Sequence, residues 1–354
     1  MDGAVGARAT RGRSGNTTFQ PPAAWARLLA QGTDLFMPAR FWTFLAACTA
    51  VLPAQGQAAD FITQSADATI RLSGSIGLAN LWADELVFDE NGKRLSRLIW
   101  ESNAVKIVTG TLDVELPKEW QLRLTAAVGF DGNGHMRDYD WIPPFAEPGS
   151  GMDAWSDRSI HPDTRLDHYF RIEGEIGRAL YDLGTSSFGL GGGLRYTDVK
   201  WSAYGGTYAY SADSFRDSRG AFRNGEPGIS YRQQLPVPYA AVNGSQRLGD
   251  WIFTSALQGG FTLGARGVDD HWQRSLNFVD RFEATPVVAA NIEAGYSLTA
   301  QTLFYVGAAF EKMFEANADS SATYEPTGEQ ESYDGGGGGA FRSMSVSVGV
   351  KGRF

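Results

Sequence analysis

The chain has 354 residues, a net charge of −9, 12% aromatic residues, 43 glycines and a mean hydropathy of −0.25. Such polarity excludes a bundle of membrane helices, and the acidic balance excludes a nucleic-acid binder, which needs a basic face. Abundant glycine and aromatic residues with mild polarity fit a chain of many strands.

The only long apolar run lies near the N-terminus, from Phe41 to Leu52. Arg40 precedes it, and small residues from Pro53 to Ala59 follow it before Asp60. A basic residue, a short apolar core and a small-residue stretch form a secretory signal. The run is shorter than the roughly 20 residues that a membrane helix takes. Cleavage is expected after Ala58 or Ala59. Residues 1–58 are therefore read as leader and signal peptide, and 59–354 as the folded domain. Residues 1–36 precede a natural-looking start at Met37 and are set aside as an extended or misassigned leader. The single cysteine, Cys48, falls inside the signal. Leu45-Ala46-Ala47-Cys48 resembles a lipoprotein cleavage site, but the apolar stretch before it is too short to favour lipidation. Without cysteine the mature chain has no disulfide or thiol chemistry, as suits an oxidising compartment. The leader takes five of the 31 Lys+Arg and two of the 40 Asp+Glu with it, leaving a net charge of −12. An acidic mouth would attract basic peptides.

Ten strands are predicted, at 68–88, 94–116, 119–132, 167–180, 186–206, 229–248, 250–270, 279–298, 301–318 and 342–354. Many are longer than ordinary globular strands and suit tilted membrane strands with extensions. In the last, Met344, Val346, Val348, Val350 and Phe354 share one face, with Ser345, Ser347, Lys351 and Arg353 on the other. Phe304, Val306, Ala308 and Phe310 form the apolar face of the ninth. Trp251, Phe253, Leu257, Phe261 and Leu263 form that of the seventh. Period-two alternation with an aromatic band predicts an all-β fold: a ten-stranded antiparallel up-and-down transmembrane barrel. A soluble β-sandwich is the competing fold, but it does not account for a signal, long strands and a terminal Phe together.

Connections alternate in length. Short turns fall at 117–119, 182–185, 249–250 and 298–301, and polar, Gly-rich loops at 89–93, 131–166, 207–228, 266–278 and 319–341. The glycine run from Gly335 to Gly339 reads as a flexible loop tip. Parity of an up-and-down barrel puts the long loops, and with them Asp138, Asp140, Asp269 and His271, on one extracellular rim. Trp82, Trp100, Trp141, Trp155 and Trp272 read as interfacial or rim residues, with Trp141 and Trp272 as cleft walls.

A resemblance is carried by Trp155-Ser156-Asp157-Arg158-Ser159-Ile160-His161-Pro162-Asp163-Thr164. This stretch resembles the Trp-Thr-Asp-x-Ser-x-His-Pro-x-Thr signature of the omptins, outer-membrane aspartate–histidine endopeptidases of Gram-negative bacteria. Gly205 to Ser211, Phe215-Arg216-Asp217, Asn224-Gly225-Glu226, Tyr231 and Pro238-Tyr239 continue the likeness in order. By this resemblance Asp138 and Asp140 match the family's paired catalytic aspartates, and Asp269 and His271 its Asp-x-His pair. Glu85 matches the residue that receives a basic side chain before the scissile bond, and Asp157 an acidic residue on the other side of it. The family's second acidic residue of the primary pocket is Gly267 here, which implies a weaker or broader basic preference. Tyr196, Asp198 and Lys200 match lipopolysaccharide-binding positions, while an arginine of that site falls at Gln234. The resemblance implies a monomeric enzyme without cofactor or metal, with lipopolysaccharide as an activator and basic peptides or host proteins as substrates.

The residue types fit that chemistry. Histidine moves a proton near neutral pH, and a neighbouring carboxylate orients it. Asp269 and His271 are two apart, so an extended strand puts both on one face, as it does Asp138 and Asp140. Two facing pairs could hold a water. Close carboxylates raise one another's pKa, so one of them would keep a proton. Weaker candidates fall away. Asp131-Gly132-Asn133-Gly134 lacks the closing Glu of a calcium loop. His161 and His168 lack the His-Glu-x-x-His spacing of a zinc peptidase, and His161 reads as a loop support. Gly189 to Gly193 alternates within a strand with no helix after it. No serine sits in a nucleophile elbow. The alternative function is a non-enzymatic adhesin or surface receptor on the same barrel. A diffusion porin would need about 16 strands for a wide lumen.

Overall fold

In the computed structural model the described residues are 69–353. The expected leader, Cys48 and the terminal Phe354 lie outside them. Fifteen β-segments form one antiparallel sheet. In chain order they are β1 (Ile70–Phe88), β2 (Arg94–Leu116), β3 (Trp120–Phe130), β4 (Asn133–Asp140), β5 (Asp157–Asp182), β6 (Ser186–Tyr204), β7 (Thr207–Tyr210), β8 (Ser218–Ala221), β9 (Pro227–Leu248), β10 (Trp251–Phe261), β11 (Arg266–His271), β12 (Leu276–Phe282), β13 (Pro286–Ser297), β14 (Thr302–Tyr324) and β15 (Glu329–Arg353).

Three pairs of segments run end to end. β3 and β4 both lie between β2 and β5. β10 and β11 both pair with β9, and β12 and β13 both pair with β14. With the β7–β8 hairpin set apart, ten long staves remain, and β15 closes the ring by pairing with both β14 and β1. Closure leaves the ring of staves with no open edge, the arrangement that lipid requires of a spanning sheet.

The lower part of each stave alternates strictly. Ile76 and Leu78 on β1, Leu257 and Phe261 on β10, and Val346, Val348 and Val350 on β15 are exposed on the outside. Ser and Thr, with ion pairs such as Arg123–Asp113 at 2.7 Å, face the lumen. The exposed apolar residues are the lipid belt. Above it the interior turns apolar: Leu81, Leu98, Trp100, Met136, Trp201, Tyr231 and Phe341 form one buried cluster. Each large apolar side chain withdrawn from water there contributes about 1.5–3 kcal/mol. This cluster fills the neck under the upper mouth.

Several ladders break where the belt ends, while the β1–β15 ladder runs through unbroken. Register shifts occur at Ala79/Leu81, just past exposed Leu78, and at Leu166/His168, beside exposed Phe170. The β3–β4 break follows Phe130, the β10–β11 break follows Leu263, and the β14 bulge at Met313/Ala316 brackets Phe314. Such irregularities bend strands and re-aim side chains.

The ten expected strands are all present in order, but four ends differ. β4 and the first third of β5 occupy the expected loop 131–166, while β14 and β15 extend through most of 319–341. The reason is physical: above the belt the outer face meets water rather than lipid and the inner face mixes carboxylates with apolar side chains, so alternation disappears from the sequence. The Gly335–Gly339 run is part of β15, not a loop tip. A Cβ at Gly338 would lie 2.6 Å from the carbonyl oxygen of Ala316, so the backbones pack too closely there for a side chain. Trp100 is not a rim residue but sits fully buried, stacked on Trp201 and Tyr231.

Candidate active site at the barrel mouth

The upper ends of the staves bring the predicted residues together through register alone. Glu85 on β1 lies opposite Leu98 on β2, Leu98 opposite Asp138 on β4, and Asp138 opposite Ser159 on β5. Residues directly opposite share a face, so this row points into the mouth. Asp140, two residues on from Asp138, faces the same way and lies opposite Asp157. Across the mouth, Asp269 and His271 project from β11, whose neighbours are β9 and β12. The six predicted site residues, Glu85, Asp138, Asp140, Asp157, Asp269 and His271, are all buried. The four catalytic candidates lie in strands rather than loops, which holds them on a rigid frame.

His271 Nε2 lies 2.6 Å from Asp269 Oδ2. Phe278 packs edge-on against the imidazole, with ring centroids 5.3 Å apart. Burial, then the nearby Arg274 guanidinium, push the imidazole pKa well below its ordinary value, so His271 rests neutral. Burial also raises the Asp269 carboxyl, and burial together with the Asp269 carboxylate raises Glu85, to which it is hydrogen-bonded. Burial raises Asp138 as well; Arg274 opposes this, while Glu85, Asp269 and Asp157 add to it. Asp140 is raised by burial and by Asp138 and Asp157. The mouth is thus a desolvated carboxylate cluster that cannot be fully ionised alone and that gains strongly from a cation. Asp140 Oδ1 is buried with no hydrogen-bond partner among the described residues.

Glu85 Oε2 accepts the indole N–H of Trp100 at 3.2 Å. Asp157 accepts the amide of Ser211 at 2.9 Å, so it also ties the β7–β8 hairpin to the wall. The Ser159 hydroxyl lies 3.5 Å from Asp138 Oδ2 and 2.9 Å from His161 Nε2. His161 therefore stands in a strand behind the aspartates, stacked on Phe222, and burial pushes its pKa down to about 4. Sequence reasoning missed Trp100, Ser159 and Arg274 as members of this group. Ser159 shares the Asp157 face by spacing of two, and Arg274 follows His271 by three, so both carried a positional signal. Trp100 carried none, because its contact depends on the β1–β2 register. Trp272 is exposed beside His271, whereas Trp141 is buried and donates its indole N–H to the carbonyl of Gly151 at 3.1 Å.

Tyr196, Asp198 and Lys200 lie elsewhere, on the outer wall of β6 above exposed Leu194. Asp198 accepts Arg232 Nε and pairs with His168 Nε2, each at 2.8 Å, and Tyr196 Oη lies 3.2 Å away. Lys200 Nζ stands 4.0 Å from Asp270. Gln234 bonds Tyr196 Oη at 2.7 Å and also accepts Arg266 Nε. Two arginines, Arg232 and Arg266, thus flank the glutamine. A cavity of about 1110 Å³ fills the lower lumen, lined by Arg71, Asp113 and Glu175 among others, and contains none of the candidate residues.

The sequence pattern of the Omptin family matches residues 66–354. The plasminogen activator of Yersinia pestis is 24% identical over 286 residues, covering 80% of this chain and 89% of that protein. Protease 7 of Escherichia coli O157:H7 is 26% identical over 261 residues, covering 71% and 78%. The outer membrane protease IcsP of Shigella flexneri is 27% identical over 248 residues, covering 67% and 75%. The crystal structure of the outer membrane protease OmpT from Escherichia coli superposes with a TM-score of 0.76 at 24% identity, covering 81% of this chain and 97% of that one. A match over nearly the whole described domain, on the same ten-stranded barrel, places the chain in the Omptin family, as an outer-membrane endopeptidase.

Proposed function

We propose that the enzyme cleaves exposed peptide bonds beside basic residues, with water as nucleophile and no metal. The observation that carries this reading is the buried 2.6 Å pair of His271 and Asp269 set across one mouth from Asp138 and Asp140. With Nε2 bonded to Asp269, Nδ1 is the nitrogen left to take a proton. Water attacks the scissile carbonyl carbon; its oxygen forms the new bond and its proton passes to His271. Asp269 orients the ring and stabilises the imidazolium. Asp138 and Asp140 hold the water, and whichever of them keeps a proton hydrogen-bonds the developing oxyanion. The C–N bond then breaks, and the leaving amine takes the proton from His271. A basic side chain near Glu85 supplies the counter-charge that the raised carboxylates lack, and Asp157 faces the residue beyond the bond.

The test is cleavage of a quenched peptide with a central Arg-Arg by barrel inserted in outer-membrane lipid, with and without EDTA. EDTA-insensitive cleavage abolished in His271→Ala is the expected result. Folded barrel that cleaves neither this peptide nor a mixed library would sink the reading in favour of an adhesin.

Lipopolysaccharide fits the same reading as activator of a monomeric enzyme, held at Tyr196, Asp198 and Lys200. Arg232 and Arg266 support it, because they bring cationic donors to the place where Gln234 stands. Activity titrated with lipopolysaccharide should need more lipid in Lys200→Ala and Arg232→Ala. Identical titrations would remove the lipid from the proposal.

A further inference from the structure

Gly267 sits between two polar residues. In the ladder it is opposite Gln233 on β9 and opposite Asp280 on β12. All three share the inward face. A Cβ at Gly267 would meet Tyr231 Cε2 and Oη at 3.1 Å and Phe282 Cζ at 3.2 Å. Two rings therefore occupy the space that an acidic side chain at 267 would need. The nearest carboxylate on this row is that of Asp280, one strand away.

The surroundings of Asp280 are unusual for a structural carboxylate. It is buried, and no ion pair reaches it among the described residues. The Ser320 side chain is its hydrogen-bond partner. Its carboxylate is faced by Gly337: a Cβ there would lie 2.5 Å from Asp280 Oδ1. The glycine run of β15 thus lets the carboxylate pack directly against the β15 backbone, with no side chain between it and the stretch where Glu85 lies opposite Gly339. Glu85 and Asp280 are close enough to repel. Gln233 adds an independent sign. It is fully buried, its Nε2 donates to Tyr231 Oη at 3.0 Å, and its Oε1 has no hydrogen-bond partner among the described residues. Two carboxylates and an unused amide oxygen converge with no cation among them. Buried acceptors of this kind are costly unless a donor arrives.

From this geometry we infer that Asp280 is a specificity-determining residue, which with Glu85 and Gln233 Oε1 forms the pocket for a cationic side chain of the substrate. The inference rests on the peptidase reading and deepens it: the carboxylate absent at Gly267 is supplied from across the β11–β12 ladder. Basic preference is then retained rather than lost. Burial pushes the Asp280 pKa up to about 7, so the arriving cation also fixes its ionised form. Lys carries three donors and Arg five, and both can serve acceptors converging from three strands.

The test compares matched peptides carrying arginine or its uncharged isostere citrulline before the scissile bond, in wild type, Asp280→Asn and Asp280→Glu. Heat-modifiable mobility in gels checks that each barrel is folded. The arginine-to-citrulline ratio of kcat/KM should fall about 10- to 100-fold in Asp280→Asn, the loss expected for a charge-assisted contact. Asp280→Glu should keep most of the ratio. A second arm measures agmatine binding to the folded barrels by calorimetry and needs no cleavage; Asp280→Asn should weaken it by a similar factor. An unchanged ratio, equal losses on both peptides, or agmatine binding that is absent or indifferent to the substitution overturns the inference. Wild type that cleaves neither peptide overturns the peptidase reading instead, and agmatine still decides the role of Asp280.

Discussion

The indole N–H of Trp100 meets Glu85 Oε2 at 3.2 Å from within the buried neck. A hydrophobic-core residue thereby fixes a side chain of the mouth. Replacing Trp100 by Phe keeps most of the packing and removes the donor. Glu85 should lose its fixed orientation, and kcat/KM on basic peptides should fall about tenfold, as for one hydrogen bond to a charged group. Steady-state kinetics on folded Trp100→Phe barrel checks this; unchanged kinetics would make the contact incidental.

His271 is held neutral by burial and by Arg274. A general base works only when deprotonated, so the acid limb of kcat/KM should lie below the ordinary histidine value of about 6.5. Arg274→Gln removes one cause of the depression and should move that limb upward. His271→Ala should lower kcat by about 100- to 10,000-fold, the span attributed to a general base. A pH–rate profile whose acid limb stays put in Arg274→Gln contradicts the electrostatic role given to that arginine.

The carboxylates of the mouth bear on stability with a definite sign. Glu85, Asp138, Asp140 and Asp269 all have folded pKa values above their unfolded ones. The unfolded chain therefore releases these protons first as pH rises from about 4. Their contribution is greatest below the unfolded values and is lost as pH rises through the folded ones. Glu85→Gln should raise the thermal midpoint of the empty barrel at pH 8 more than at pH 5. Equal shifts at the two pH values would show that the cluster is not strained by charge.

Ser159 links His161 to Asp138. Ser159→Ala should leave Asp138 less well oriented and lower kcat by about tenfold, with KM nearly constant, because the contact serves the reacting centre more than substrate binding. His161 titrates near 4, so activity losses in Ser159→Ala should not depend on pH between 6 and 8. A loss confined to KM would assign Ser159 to binding.

Much of the frame was legible because lipid enforces it. Val346, Val348 and Val350 must face outward, and a spacing of two shows it in the sequence. Asp269 and His271, like Asp138 and Asp140, share a face for the same reason. What the sequence hid lay above the belt. Nothing in Gly335 to Gly339 distinguishes a loop tip from a strand packed against Ala316 and Asp280, since glycine shows no facing preference. Asp280 was overlooked because its significance comes from the register that sets it opposite Gly267, a relation between strands rather than along one.

The interruptions of the ladder at the top of the apolar belt have a mechanical consequence. Below them the staves answer to the bilayer, and a thicker or thinner membrane is met by changing their tilt. Above them the β1–β2 and β14–β15 pairs take a new register, while the β1–β15 ladder runs on unbroken. The bulges at Ala79/Leu81 and Met313/Ala316 each shift the pairing between two staves, so the residues above them, Glu85 among them, are set by a register of their own.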